Sequence, residues 1–324
     1  MLKINVRLIL WLCSILILTS CSNQNDNEPV EIGINPWPGY EFLYLAEQKG
    51  FFEKVGLNAK LVQLGSLSDA QRAYVNGFTD GLASTVIEAV QAEVLGGKPL
   101  KIVMVSDYSN GGDMIVARKE FKDMQSLKGK TIGCEVSSLG IFILQRALAK
   151  SDMDLSDVKV VNVEQASAEK SMQVNEIDAV VTYAPVAFNL LELDKYHKVF
   201  TSLEIPKEII DTISISQEAL DKNPGFVSDL HDVWQMALNY YESNPQESLD
   251  IMSAREGISS EDFKAALADL KLIDKKGQSP LFEDTTFLEK NVIQVCEALV
   301  HVEAISTDCA LLPNIVYTAR SAKK

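Results

Sequence analysis

From residue 31 to about residue 201 the chain alternates short β-rich runs with amphipathic helical stretches, and no other feature narrows its fold as far. The runs 31–34, 58–64, 81–83 and 100–105 carry the β-branched and aliphatic residues of buried strands. Helical patterns near 41–49, 68–76 and 85–95 fall between them, and Gly50, Gly77 and Gly96 stand where C-terminal caps belong. A second series places strands at 114–117, 131–135, 158–163, 179–182 and 198–201, with helices near 138–150, 167–175 and 185–193. Past Gln217 the strand signal stops, and helices near 225–243, 245–255, 260–270 and 285–301 dominate. The pattern predicts an α/β protein with a parallel core: two α/β series and a helical tail, with no long low-complexity linker. In the tail, Trp234 lies on an apolar stripe and reads as core.

Residues 1–20 read as a segment apart from that fold. Lys3 and Arg7 give a positive start, and the apolar run 8–18 that follows is about half the roughly 20 residues a spanning helix requires. This is the pattern of a secretory signal. It ends in Leu18-Thr19-Ser20-Cys21, which resembles the lipobox of bacterial lipoproteins and so implies acylation of Cys21. The polar residues 21–29 then read as a lipidated tether. Several acyl chains, at about 0.8 kcal/mol per buried methylene, anchor stably where one would not. The expected place is therefore outside the cytoplasm, on a bacterial membrane, facing the periplasm or the cell exterior.

Lys3 and Arg7 are the only charges in residues 1–20, so cleavage would leave a chain two units more acidic than the −15 of the whole. Such acidity argues against nucleic acid, whose phosphates need a basic face. An oxidising compartment would let Cys296 and Cys309 close a short loop after the last helix, the alternative being two buried free thiols. Cys134 is then left over. His197, His231 and His301 lie far apart, and no Cys or His cluster has metal-ligand spacing.

In open α/β sheets ligands sit beyond the carboxyl ends of the strands, where helix N-termini also point. Here those places are 35–40, 65–68, 84–85, 107–113, 136–139, 165–166 and 183–185. They contain Trp37 and Tyr40 in a rigid Pro-Trp-Pro-Gly-Tyr loop, together with Ser66, Ser84, Thr85, Asp107, Tyr108, Asp113, Ser137, Ser138 and Tyr183, with Glu135 at their edge.

Four stretches in this order, GINPWPGYEFLYLAEQKGFFEKVGL, GLASTVIEAVQAEVLGGKPLKIV, SLKGKTIGCEVSSLGIFILQRAL and NEIDAVVTYAPVA, resemble the periplasmic substrate-binding proteins of ABC importers for nitrate, sulfonates, taurine and thiamine precursors. The resemblance runs from about residue 30 to 310. It implies a two-lobed, type II periplasmic-binding-protein fold with a hinge between two mixed sheets flanked by helices. Residues 30–114 and 214–324 would form the first lobe, completed by the C-terminal helices, and 115–213 the second. The crossings would fall near 113–118 and 205–216. It further implies a monomer without cofactor that binds a small molecule in the cleft and presents it to a membrane permease. A membrane sensor is the alternative partner.

Each candidate has a plain reading beside its functional one. Trp37 is either a rigid face for stacking and cation–π contact or a core plug. Ser84 and Thr85 with Glu88 form a capping box, yet exposed amides at such a start also donate to ligands. Ser137-Ser138 repeats the arrangement in the second series. Asp107, Tyr108 and Asp113 lie on a glycine-rich crossing, where aspartates cap turns or meet a ligand. Tyr183 is a second aromatic wall or a helix prop.

The segments hold no Lys or Arg while Asp107, Asp113 and Glu135 lie in or beside them. A carboxylate buried against an anion is costly, so the expected ligand is neutral or cationic and donor-bearing, a pyrimidine or thiamine precursor or an amine. Sulfonate is the competitor, because helix N-termini alone can hold an anion. No catalysis is expected: the chain lacks the cysteine cluster of pyrimidine-synthesising members of the family, and it has no Gly-x-Ser-x-Gly turn.

Overall fold

The computed structural model describes residues 28–318, so the signal segment, Cys21 and the tether as far as Asn27 lie outside the described residues. Among the described residues eleven strands form two sheets: β1 (Val30–Ile34), β2 (Ala59–Gln63), β3 (Gly81–Thr85), β4 (Leu100–Ser109), β5 (Met114–Arg118), β6 (Thr131–Cys134), β7 (Lys159–Asn162), β8 (Ala179–Thr182), β9 (Tyr196–Thr201), β10 (Ile210–Ser216) and β11 (Leu270–Leu272). The first sheet has the order β11-β4-β10-β3-β1-β2 and the second β7-β6-β8-β5-β9. Both are mixed. β1 runs parallel to β2 and β3, whereas β10 lies antiparallel between β3 and β4. In the second sheet β6 is parallel to β7 and β8, and β5 is antiparallel to β8 and β9.

Each sheet thus keeps a parallel core, β1 with β2 and β3 and β6 with β7 and β8, and is mixed as the resemblance implies because antiparallel strands flank it. β4 passes into β5, and β9 into β10, with no α-helix to turn the chain around. A strand entered this way runs against its neighbours. The crossings themselves are residues 110–113 and 202–209, narrower than the sequence implies, because 114–118 and 210–216 are strands.

β10 escapes a sequence reading for a physical reason. Its sequence IDTISIS alternates apolar with polar residues, which reads as a half-solvated edge, yet all seven are buried. Two of the polar ones are paired inside, Thr212 donating to the Ser84 carbonyl at 3.0 Å and Asp211 accepting from the Tyr40 hydroxyl at 2.6 Å, while Ser214 Oγ is buried without a partner. β11 contradicts the expectation that strands stop after Gln217, three residues being too few to show a period. The helix Lys275–Glu283 is hidden by Gly277 and Pro280. It is held by Asp274, which caps it at 2.8 Å, and by buried Gln278, which pairs with both backbone groups of Val105 on β4.

Trp234 is fully buried and packs edge-on against Phe42 at 5.6 Å, its Nε1 donating to the Ile273 carbonyl at 2.8 Å. The helix Thr286–His301 is tied to the following segment by a Cys296–Cys309 disulfide, and Tyr317 N–H then reaches the Ile102 carbonyl at 3.0 Å. The chain thus returns to the first sheet. Cys134 is a buried free thiol whose burial pushes it up to about 12.

Candidate functional site

The Pro-Trp-Pro-Gly-Tyr loop leaves β1 as a turn, with Tyr40 N–H and Glu41 N–H both on the Trp37 carbonyl. Gly39 is required there, because a Cβ would stand 2.0 Å from Asp107 Oδ2. Trp37 is buried. Its Nε1 donates to Asp107 Oδ2 at 3.4 Å, and its ring meets Tyr183, at the end of β8 in the second sheet, edge-on at 5.8 Å. At the crossing, a Cβ on Gly112 would lie 2.9 Å from the Trp37 ring. The indole is therefore wedged where first sheet, second sheet and crossing meet. It is packed like a core plug and at the same time walls two small cavities.

One is lined by Asn35, Trp37, Leu67, Asp113, Leu139, Tyr183 and Asp211. The other lies across the indole beside Gly112, Met114, Phe188 and Leu270, and neither has room for a water molecule as the side chains stand. The first is unusual in its charge. Asp107 and Asp211 are cross-strand partners on β4 and β10, and Asp113 follows on the crossing; all three are buried. Asp107 Oδ1, Asp211 Oδ2, both oxygens of Asp113, Asn35 Oδ1 and the Tyr183 hydroxyl have no hydrogen-bond partner.

Buried carboxylates so arranged hold protons. Desolvation pushes Asp107 up to about 7, and desolvation with help from Asp107 and Glu88 pushes Asp113 up to about 7. Asp211 is raised well above the carboxylate range by burial, then by Asp107 and Asp113. No lysine or arginine lines the cavity. Among the described residues no His, Cys, Asp and Glu group has the arrangement of a metal site.

The serine pairs are engaged elsewhere. Glu88, in the first turn of the helix Val86–Val94, accepts on Oε2 from Thr85 N–H at 3.0 Å and from the Thr85 hydroxyl. Its Oε1 accepts from the Ser138 hydroxyl and Leu139 N–H, each at 2.7 Å, at the start of the helix Leu139–Lys150. Burial raises Glu88, and these donors oppose the rise. Ser84 donates to the Thr85 carbonyl at 3.1 Å.

Several expected residues stand apart from the cluster. Ser137 is exposed. Tyr108 packs edge-on against Phe287 at 6.3 Å and lines neither cavity. Ser66 caps the helix Leu67–Val75 through Asp69 N–H at 3.2 Å. Glu135 is buried beside Ser66 and Glu164 and pushed up to about 8, first by desolvation and then by Glu164. Tyr40 sits on Asp211 rather than facing the cavity. Of the other lining residues, Asn35, Leu67 and Leu139 fall within the strand-end segments named from sequence, whereas Asp211 lies outside them and was missed. For Asp211 a signal existed, a carboxylate inside a run that otherwise alternates isoleucine with small polar residues. For Glu88 only the local capping box was visible.

The NMT1/THI5-like family model matches residues 37–248, well over half of the chain. The chain belongs to this family. This NMT1/THI5-like protein is similar to a Brucella abortus protein named only as a binding protein, 25% identical over 292 residues, covering 82% of this chain and 81% of that one. It is similar to the formylaminopyrimidine-binding protein of Halalkalibacterium halodurans, 26% identical over 263 residues, with 76% and 78% covered. In fold it is similar to the alkanesulfonate-binding protein SsuA of Xanthomonas axonopodis pv. citri bound to MOPS, with a TM-score of 0.75 at 16% identity, covering 90% of this chain and 99% of that one. The architecture is the α/β type II periplasmic-binding-protein fold.

Proposed function

We propose that the protein captures a small, donor-bearing organic solute, an amine or an amino-substituted pyrimidine of the thiamine-precursor kind, between two lobes and delivers it to a membrane permease without chemical change. The lobes would be residues 30–109 with 210–318, which hold the first sheet, and 114–201, which hold the second, a few residues from the bounds 30–114, 214–324 and 115–213 expected from sequence. Export and a lipid anchor at Cys21 belong to the same reading. One observation carries the choice of ligand: buried carboxylate oxygens of Asp113 and Asp211 without partners line a cavity walled by Trp37 and Tyr183 and free of basic residues. Such oxygens are costly to bury unless something donates to them. An ammonium or amino group would do so, and the ring faces suit stacking and cation–π contact. As the side chains stand the site has no room even for a water molecule, so a solute must part its walls to enter.

The likeness to a formylaminopyrimidine-binding protein supports this reading, and the likeness to SsuA is what keeps sulfonates as the second one. The deciding experiment is thermal unfolding with a panel of amino-pyrimidines, thiamine, amines, sulfonates and nitrate. Saturation at 100 times the dissociation constant adds about 2.7 kcal/mol, a readable upward shift of the midpoint. Stabilisation by pyrimidines or amines alone is expected. Stabilisation by sulfonates alone would overturn the ligand class, and turnover of any stabilising compound would overturn the binding role.

A further inference from the structure

Two helix starts face each other across the cleft, one on each side, and a side chain of the protein already lies between them. The helices Val86–Val94 and Leu139–Lys150 follow strands of different sheets, β3 and β6, yet their first turns converge on the single carboxylate of Glu88. Each oxygen of that carboxylate takes one backbone N–H and one hydroxyl: Thr85 N–H and Oγ1 on Oε2, Leu139 N–H and Ser138 Oγ on Oε1. Two backbone N–H groups and two hydroxyls face it, and their hydrogen bonds favour the charged form against the burial that raises the group. Ser138 makes no side-chain hydrogen bond within its own helix start; Glu88, fifty residues away in sequence, supplies the cap instead.

We propose that Glu88 is a resident anion, a specificity-determining carboxylate that fills the anion position between the two helix starts, excludes anionic solutes from it and latches the two halves together. Two N–H groups and two hydroxyls converging on planar oxygens are the donor set that a free formate, nitrate or sulfonate would seek. Here it is consumed by a tethered one. The added negative charge also stands near Asp113 and Asp211. What remains for a solute is therefore the acidic cavity alone. Because two of the four donors come from each side, opening the cleft must strip Glu88 of Ser138 and Leu139. The carboxylate then favours the closed form whether or not a solute is present.

The consequence for selectivity rests on reading the cavity as the solute site, but the resident-anion claim does not, and the test separates them. In the exported protein Glu88→Ala removes the carboxylate and leaves all four donors. Saturating formate or nitrate should raise its unfolding midpoint by about 3 °C or more over chloride of equal ionic strength, while the wild type should not respond. Small-angle scattering should show Glu88→Ala expanded in chloride and compacted by formate. Glu88→Gln, which fills the space, should gain no anion response. If Glu88→Ala folds only with formate or nitrate present, the claim is supported equally. Glu88→Ala indifferent to both anions, or unfolded with and without them, would overturn it. So would a wild type stabilised by nitrate as strongly as the variant. A wild type that ignores amines and pyrimidines while Glu88→Ala gains formate would instead sink the proposed solute class and leave the latch standing.

Discussion

Replacing Asp113 by Asn removes from the cavity a carboxyl neither of whose oxygens has a partner, at almost unchanged volume. Burial, reinforced by Asp107 and Glu88, lifts this group from 3.8 to about 7. The folded protein thus binds the proton more tightly than the unfolded chain does. The stability tied to it is fully present below about pH 4 and is lost progressively as the pH rises to about 7, where the folded group also ionises. About three pH units at 1.36 kcal/mol each make a loss on the order of 4 kcal/mol. An amide in its place has no proton to lose. Asp113→Asn should therefore match the wild type near pH 4 and exceed it by up to ~4 kcal/mol at pH 8, a shift on the order of 8 °C for a chain of this size. It should also lose affinity for any cationic solute, because an amide cannot supply the missing charge. Calorimetric unfolding of both proteins without solute, from pH 4 to pH 8, reads the effect directly. Parallel curves over that whole range would refute the reasoning, since they would mean that Asp113 ionises as freely in the folded protein as in the unfolded one.

Three further predictions touch other parts of the molecule. Trp37→Phe should keep the fold while weakening solute binding severalfold, because the smaller ring offers less face for stacking and cation–π contact, worth about 0.5–2 kcal/mol; unchanged affinity by calorimetry would put the solute elsewhere. Cys296→Ser opens a bridge between residues 13 apart and should cost about 2–4 kcal/mol in denaturant unfolding, with no added effect of reductant; a midpoint equal to that of the oxidised wild type would show that the bridge does not form in solution. Cys21→Ala should release the protein from membranes in cell fractionation, and retention in the membrane fraction would remove the acyl anchor from the proposal.

The parts of the fold that show in sequence are those whose signals are local. Gly50, Gly77 and Gly96 read as caps and adopt left-handed backbone at φ 67°, 75° and 84°. β1, β3, β6 and β8 are buried along almost their whole length and announce themselves as apolar runs. β10 does not, because its polar residues are buried only once β3 and β4 have closed on either side of it. The candidate site divides the same way. Trp37, Asp113 and Tyr183 are visible as oddities at strand ends, whereas Asp211 enters through the unrecognised strand. Tyr108 has the right address in sequence but, on the pleated β4, packs on a helix instead of lining the cavity.

Glu88 shows why the missing part bears on function. The motif Thr85-x-x-Glu88 promises a capping box and delivers one, so nothing in the sequence asks for a second use of that carboxylate. Its other two donors come from residues 138 and 139, at the start of a helix that follows β6 of the second sheet. Asp107 and Asp211 meet within the first sheet, through the pairing of β4 with β10, and the two groups of acids behave in opposite ways. Glu88 has four donors and can stay ionised, while the aspartates have unpartnered oxygens and hold protons up to about pH 7 and beyond. A cationic solute entering that cavity would replace those protons with its own donors, so its affinity should climb as pH rises toward about 7 and then level off. An anion would meet ionised Glu88 where it needed N–H groups. The charge selectivity proposed for the protein thus follows from which carboxylates the closed form satisfies and which it leaves waiting.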